Sequence, residues 1–266
     1  MKPDHLPAPR ALAALLLAAS ALGLGGCATV ANPNPRDPWE SFNRGSYQFN
    51  ESLDRVLLKP VATLYRHKVP PLVRTGVSNF FGNLGDGWSA VNSLLQFHLQ
   101  DAEENLARFQ LNTMFGLFGI FDIASDVNIE RHSEDFGQTL GRWGVPAGPF
   151  LMLPFLGPST VRDAAALPVD YHFDLARQIG NDTGQDLVWG LRAVDKRANL
   201  LRVGNVLEEA ALDKYSFTRD AYLQRRRAEI YDRDDERDVP PPLPDESLEP
   251  STAAPPATPP ASAPRR

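Results

Sequence analysis

Histidines beside carboxylates are the first places to look for chemistry in this chain. His132-Ser133-Glu134-Asp135 and His172-Phe173-Asp174 each set an imidazole within two or three residues of an acid, a pairing that suits proton transfer or metal binding. The two clusters are far apart in sequence, and His67, His98, His132 and His172 include no two at ligand spacing. Both clusters therefore read as solvated loops or satisfied polar contacts. Asp126-Val127-Asn128-Ile129-Glu130 alternates oxygens as a calcium loop does at its start, but the sixth position is not glycine, and Gly137 stands where the closing glutamate belongs. There is no Gly-x-Ser-x-Gly elbow, no phosphate-cradling glycine loop and no His-Glu-x-x-His. These readings predict no enzyme, no resident metal and no cofactor. Arg225-Arg226-Arg227, the densest basic run, reads as a solvated helix face, with contact to lipid headgroups as the alternative.

One residue does carry a chemical expectation. Cys27 is the only cysteine, and it ends Leu24-Gly25-Gly26-Cys27 after a basic start (Lys2, Arg10) and an apolar run from Ala11 to Leu24. That is the layout of a secretory signal peptide with small residues before the cut. A thiol at the cut reads as a lipobox, to be acylated and become the first residue of a mature bacterial lipoprotein. A non-lipidated signal peptide or an N-terminal membrane anchor is the alternative, although the apolar run is shorter than the roughly 20 residues a spanning helix needs. Ala28 rather than aspartate follows, which by the sorting rule of Gram-negative lipoproteins favours the outer membrane.

The chain of 266 residues then divides into a signal peptide (1–26), a lipidated tether (27–36), one domain (37–238) and a Pro/Ala-rich disordered tail (239–266). The net charge of −6 argues against nucleic acid, which demands a basic footprint. Asp37-Pro38-Trp39-Glu40 combines cap, first-turn proline and capping-box signals for a helix whose face is Phe42, Ser46, Phe49, Leu53 and Val56/Leu57. Pro60 ends it and starts a shorter one toward His67. A third, with Leu72, Val73, Val77, Phe80 and Phe81, stops at Gly82. Gly85-Asp86-Gly87 reads as a turn, with Asp86 capping a helix that buries Trp88, Val91, Leu94, Leu95 and Leu99. Asp101 caps the next, through Leu106, Phe109 and Met114, and helical periodicity returns over about 184–212 and 216–232. A small hairpin around Gly137–Phe150 is the one hint of sheet. The domain should be mostly α-helical.

Two apolar stretches fit poorly with a water-soluble bundle. Leu111–Ala124 is apolar on nearly every side and reads either as a buried central helix or as an element dipping into a lipid leaflet. From Trp143 to Val161 no residue is charged, yet Pro146, Pro149, Pro154 and Pro158 forbid a helix. Irregular backbone cannot stand bare in hydrocarbon, so this segment reads as a wall or lip around something greasy, or as a Pro-rich loop crossing the core.

Ordered motifs then bring a family into view. Asp37-Pro38-Trp39-Glu40-Ser41-Phe42-Asn43-Arg44, Val77-Ser78-Asn79-Phe80, Arg108-Phe109-Gln110-Leu111-Asn112-Thr113, Glu134-Asp135-Phe136-Gly137-Gln138-Thr139-Leu140-Gly141 and Gly157-Pro158-Ser159-Thr160-Val161-Arg162-Asp163 resemble the MlaA (VacJ) lipoproteins. The similarity covers about residues 37–230; Lys214, where the family tends to have proline, is a local departure. The resemblance implies an all-α, ring-like domain lying in one leaflet of the outer membrane, on its periplasmic face, around an amphipathic channel. It implies removal of phospholipid from the outer leaflet to maintain lipid asymmetry. The implied partners are phospholipids, trimeric porins and the soluble periplasmic phospholipid-binding protein of the Mla system. Phe115, Phe118 and Phe121 would then be leaflet-embedded, and Gly141, Gly144, Gly148 and Phe150 would form a flexible region beside the channel. The rival readings are a structural lipoprotein anchor and a periplasmic lipid or cell-wall hydrolase.

Overall fold

A computed structural model describes residues 34–179, 182–210 and 212–231. Cys27, the signal segment, most of the tether and the tail lie outside these residues. The chain folds as nine α-helices among the described residues, with a single two-stranded hairpin. The helices are α1 (Glu40–Leu53), α2 (Lys59–Lys68), α3 (Pro71–Leu95), α4 (Leu99–Met114), α5 (Ile123–Asp126), α6 (Phe136–Arg142), α7 (Val161–Phe173), α8 (Asp182–Ala210) and α9 (Lys214–Tyr231). The hairpin pairs β1 (Phe150–Leu153) with β2 (Gly157–Thr160) antiparallel, Phe150 opposite Thr160 and Leu153 opposite Gly157. It therefore begins where the expected hairpin ended, because Gly137 belongs to α6.

Several boundaries differ from expectation for physical reasons. Helix α1 does not start on an Asp37 cap: its N-cap is Trp39, which has no side-chain cap, and Asp37 is buried as an acceptor for Asn43, Tyr215 and Arg219. Pro60 does not end the first rod. A π-helical turn over Asp54–Leu58 leads straight into α2, with Pro60 in its first turn, where a missing amide is least harmful. Helix α4 begins at Leu99, with His98 as its N-cap, so Asp101 sits inside the first turn rather than capping it.

Helix α3 is the largest correction. It runs unbroken for 25 residues through Gly82, Gly85 and Gly87, and Asp86 is buried mid-helix instead of capping. Glycine costs a helix only about 1 kcal/mol against alanine, which packing readily offsets. At Gly82 a Cβ would meet the Arg131 guanidinium at 2.8 Å, so the bare backbone makes room for that side chain. Helix α4 stops at Met114, which removes the buried central helix as a reading of Leu111–Ala124.

Helices α3 and α4 pack along their lengths, α2 lies on α8, and α6 is held between α7 and α9. The apolar clusters are small. Ala62, Ala198 and Leu201 join α2 to α8, and Phe150, Met152 and Tyr215 join the hairpin to α9. Polar residues fill much of the remaining interior. Among the described residues, twenty-two polar or charged side chains are buried against twelve hydrophobic ones. The apolar faces marked by the sequence point outward in large part: Phe42 is 55% exposed, Val56 80% and Leu72 76%, and on the face expected to be buried Val91 is 44% exposed, Leu94 55% and Leu99 65%. The periodicity was real, but the apolar stripe faces outward.

Candidate functional site

The site begins with a salt bridge. Arg108, on α4, is 2% exposed and sends its Nη2 to both oxygens of Asp122, at 2.7 and 2.8 Å. Asn112, one turn further on, donates to Asp122 at 2.9 Å and accepts the Ala124 amide at 2.9 Å. Asp122 in turn caps α5 through the Ser125 amide. Burial pushes the Asp122 carboxyl up, but hydrogen bonds from Ser125 and Asn112 and the Arg108 charge outweigh it and hold the group below its usual range. Asp86 sits deeper, with Arg131 Nε at 2.8 Å and Arg108 Nε at 3.6 Å; there burial wins and its carboxyl is raised.

This anchored frame fixes the loop between α4 and α5. Phe115 is 69% exposed, Leu117 59%, Phe118 69% and Phe121 51%, so the expected leaflet-embedded phenylalanines form an apolar crest. Much of its backbone is nevertheless hydrogen-bonded. The Phe118 amide reaches Thr113 O (3.1 Å), Gly119 reaches Asn112 O (2.8 Å), Phe121 reaches Gly116 O (2.9 Å), and Asn79 donates to Ile120 O (3.1 Å). Leu117, Phe118 and Gly119 all have positive φ (54°, 59° and 92°), a left-handed turn that bulky residues rarely adopt. Glycine is required at 119, where a Cβ would lie 2.5 Å from Asn83. Strain of this kind persists only where surrounding structure over-determines it.

Beneath the loop lies a cavity of about 820 Å³, walled by α3 (Leu72, Val73, Gly76, Phe80), the loop and α5 (Ile120, Phe121, Ile123) and α8 (Val188, Leu191). Asp122, Ser125 and Asp126 give it a polar edge. Ser125 Oγ donates to Asp122 at 2.7 Å, but Asp122 is committed to Arg108 and no histidine lines the chamber, so the pair lacks the base a nucleophile needs. The chamber can shelter an apolar chain with its polar end at the rim.

The expected flexible region lies elsewhere. Gly141 is inside α6, where a Cβ would meet Arg162 (2.7 Å) and Ile230 (2.8 Å); it is a packing glycine. Gly144 and Gly148 lie between α6 and β1 with φ of +88° and +69°. Phe150 is fully buried against Tyr215 and Tyr222. None of the four lines the cavity. The Arg225–Arg227 run also divides: Arg226 is buried and ion-paired to Asp135 and Asp163, whereas Arg225 is exposed and bridges Glu229. His132 contacts Glu104 at 2.8 Å, and Asp174 caps a 3-10 turn. No cluster suited to a metal occurs among the described residues.

Sequence reasoning passed over Arg108, Asn112, Asp86 and Asn83. The signal was there: Asn105, Arg108 and Asn112 recur at helical spacing on α4, facing Asn83, Asp86, Asn92 and Ser93 of α3. Among the described residues no helix is long and apolar enough to cross a membrane.

Known proteins align with this arrangement. The profile of a family described as MlaA lipoprotein matches residues 35–229. The chain is 36% identical over 222 residues to an Escherichia coli (strain K12) protein named intermembrane phospholipid transport system lipoprotein MlaA, covering 79% of this chain and 87% of that one. It is 33% identical over 223 residues to the Haemophilus influenzae protein of the same name, covering 80% and 88%. A solved chain from work on the structural basis for maintenance of bacterial outer membrane lipid asymmetry superposes with a TM-score of 0.61 at 34% identity, covering 71% of this chain and 96% of its own.

Proposed function

The chain belongs to the MlaA lipoprotein family, and from that premise we propose that it removes phospholipid from the outer leaflet of the outer membrane and passes it to a soluble periplasmic carrier. In this reading Cys27 is acylated and holds the protein on the periplasmic face, and the helices form a ring in one leaflet beside a trimeric porin. Phe115, Phe118 and Phe121 enter the acyl region, and Gly144 and Gly148 let the segment beside the channel move. The observation that carries the reading is the inverted burial: a polar interior, apolar outer faces and an apolar chamber with a charged rim.

The physics needs no covalent step. Drawing a diacyl lipid through water would expose about thirty methylenes, on the order of 25 kcal/mol at about 0.8 kcal/mol each. An apolar wall lowers that barrier while the headgroup stays wet. Neither a nucleophile nor a metal is required, so the protein acts as a conduit rather than an enzyme, and net direction must come from downstream affinity or energy use.

The test is surface-exposed phospholipid in a deletion strain carrying the wild-type gene, the double variant Gly144→Val/Gly148→Val, or none. Restored clearance by the wild type and weakened clearance by the double variant is expected. Undiminished surface phospholipid with the wild-type gene returned sinks the transport reading. Turnover of a labelled phospholipid by the purified protein would identify a hydrolase instead.

A further inference from the structure

We propose that the polar rim of the chamber selects the headgroup, seating a phospholipid that carries an ammonium group, such as phosphatidylethanolamine, in preference to one whose only charge is its phosphate. The inference rests on the transport reading above and deepens it by naming the lipid. Two cavities meet at α5. The apolar chamber of about 820 Å³ and a polar pocket of about 490 Å³ share Asp122 and Ser125 as a common wall. Arg108, Asn128, Glu130 and Arg131 are the other polar residues of the pocket. An occupant that fills both cavities has an apolar chain on one side of the wall and a polar group on the other. That is the build of a lipid rather than of a free ion.

The charges around the wall decide which polar group. Among the described residues, Arg108 and Arg131 are the only cations lining either cavity, and both are engaged within the protein: Arg108 with Asp122 at 2.7 Å, Arg131 with Asp86 at 2.8 Å. The acids are not all engaged. Asp126, four residues after Asp122, lines the chamber, and Glu130, four further on, lines the pocket; both are exposed. Among the described residues neither accepts a hydrogen bond or forms an ion pair. The linings thus carry three carboxylates against two guanidiniums.

Every phospholipid brings a negative phosphate to this rim. A lipid with no further charge meets carboxylates that nothing neutralises, whereas an ethanolamine headgroup adds an ammonium with three donors, which Asp126 and Glu130 are free to accept. The arginine side of the pocket suits the phosphate. Arg108 is 2% exposed, and its Nε stands 3.6 Å from Asp86 without a hydrogen-bond acceptor. A phosphate oxygen satisfies that donor directly or through one water. Ion pairs at an exposed rim are weak and screened by salt, so the preference should be modest, about fivefold, and should shrink as salt is raised.

The experiment uses the full acylated chain in a mild detergent doped with equal amounts of phosphatidylethanolamine and phosphatidylglycerol of matched tails, and native mass spectrometry reads which lipid is retained. The inference expects about fivefold more phosphatidylethanolamine. Phosphatidylethanolamine acetylated on its amine should be retained no better than phosphatidylglycerol. The double variant Asp126→Asn/Glu130→Gln should bring the ratio close to one with total retained lipid unchanged; both positions are exposed and unpartnered, and circular dichroism verifies the fold. Equal retention of the two lipids by the wild type, or more phosphatidylglycerol, overturns the headgroup inference and leaves the transport reading intact. A preference that survives the double variant overturns the assignment to these two acids. If neither lipid is retained, the transport reading falls and this inference with it.

Discussion

The α3–α4 seam and the loop that leaves it are separated by a single turn of helix, yet they are built from opposite chemistry. In the seam Asn83, Asp86, Asn92, Ser93, Asn105, Arg108 and Asn112 are all 2% exposed or less. In the loop Phe115, Leu117 and Phe118 are each more than half exposed. A water-soluble bundle would place these sets the other way round. Where the surroundings are apolar, facing a leucine inward gains little, because the outside is as greasy as the inside. Hydrogen bonds and ion pairs between helices then supply the specificity of packing, and the apolar residues mark the boundary with the medium.

Removing the seam's central charge should have the largest effect. Arg108→Met removes the buried guanidinium between Asp86 and Asp122, leaving them only Arg131 at the edge, and should destabilise the fold by about 3–5 kcal/mol, the usual consequence of breaking a buried pair. Denaturation in detergent micelles reads this, and a loss under about 1 kcal/mol would show that the seam is not what holds the bundle.

Next comes Glu134, 5% exposed, whose carboxyl burial pushes up to about 7 against the pull of Gln96, with Asp135 and Glu229 raising it and Arg226 lowering it. Its folded value lies above its unfolded one, so its contribution is complete below pH 4.5 and is lost as pH rises toward about 7. Glu134→Gln keeps an acceptor for Gln96 and removes the titration. The variant should match wild type near pH 4.5 and gain on it by at most about 3 kcal/mol at pH 8, at about 1.36 kcal/mol per unit. Parallel stability profiles from pH 4 to 8 would refute the assignment.

Phe118→Ser probes the other region. In an unacylated Cys27→Ser background it should weaken vesicle binding by about 2 kcal/mol, roughly thirtyfold, while leaving the unfolding midpoint unchanged. A fall in stability with unaltered binding would move Phe118 into the seam's class. The smallest effect belongs to Gly144→Ala, which meets open space but must adopt φ near +88°; about 1 kcal/mol of destabilisation is expected in the same unfolding assay.

Helix content was readable because periodicity survives whichever face is buried. Its sense was not. Val91, Leu94 and Leu99 read as a buried face because apolar stripes normally face inward, and a one-dimensional pattern cannot report the polarity of the surroundings. Gly82, Gly85 and Gly87 of α3 read as punctuation, although Gly82 is the space occupied by Arg131, a residue 49 positions away. The apolar crest at Phe115–Phe121 stood out in the sequence because its composition is local. The Arg108–Asp122 frame that holds it was missed because the two residues lie on different elements and nothing in the local sequence pairs them. The hairpin was displaced because Asn43 and Asn50, more than a hundred residues from their partners, decide where it is pinned.

The outward-facing phenylalanines and leucines also govern the molecule's passage before it reaches its membrane. A particle coated in this way cannot cross an aqueous compartment alone, since copies would adhere to one another sooner than meet a bilayer. Any passage through water therefore calls for these side chains to be covered by another surface.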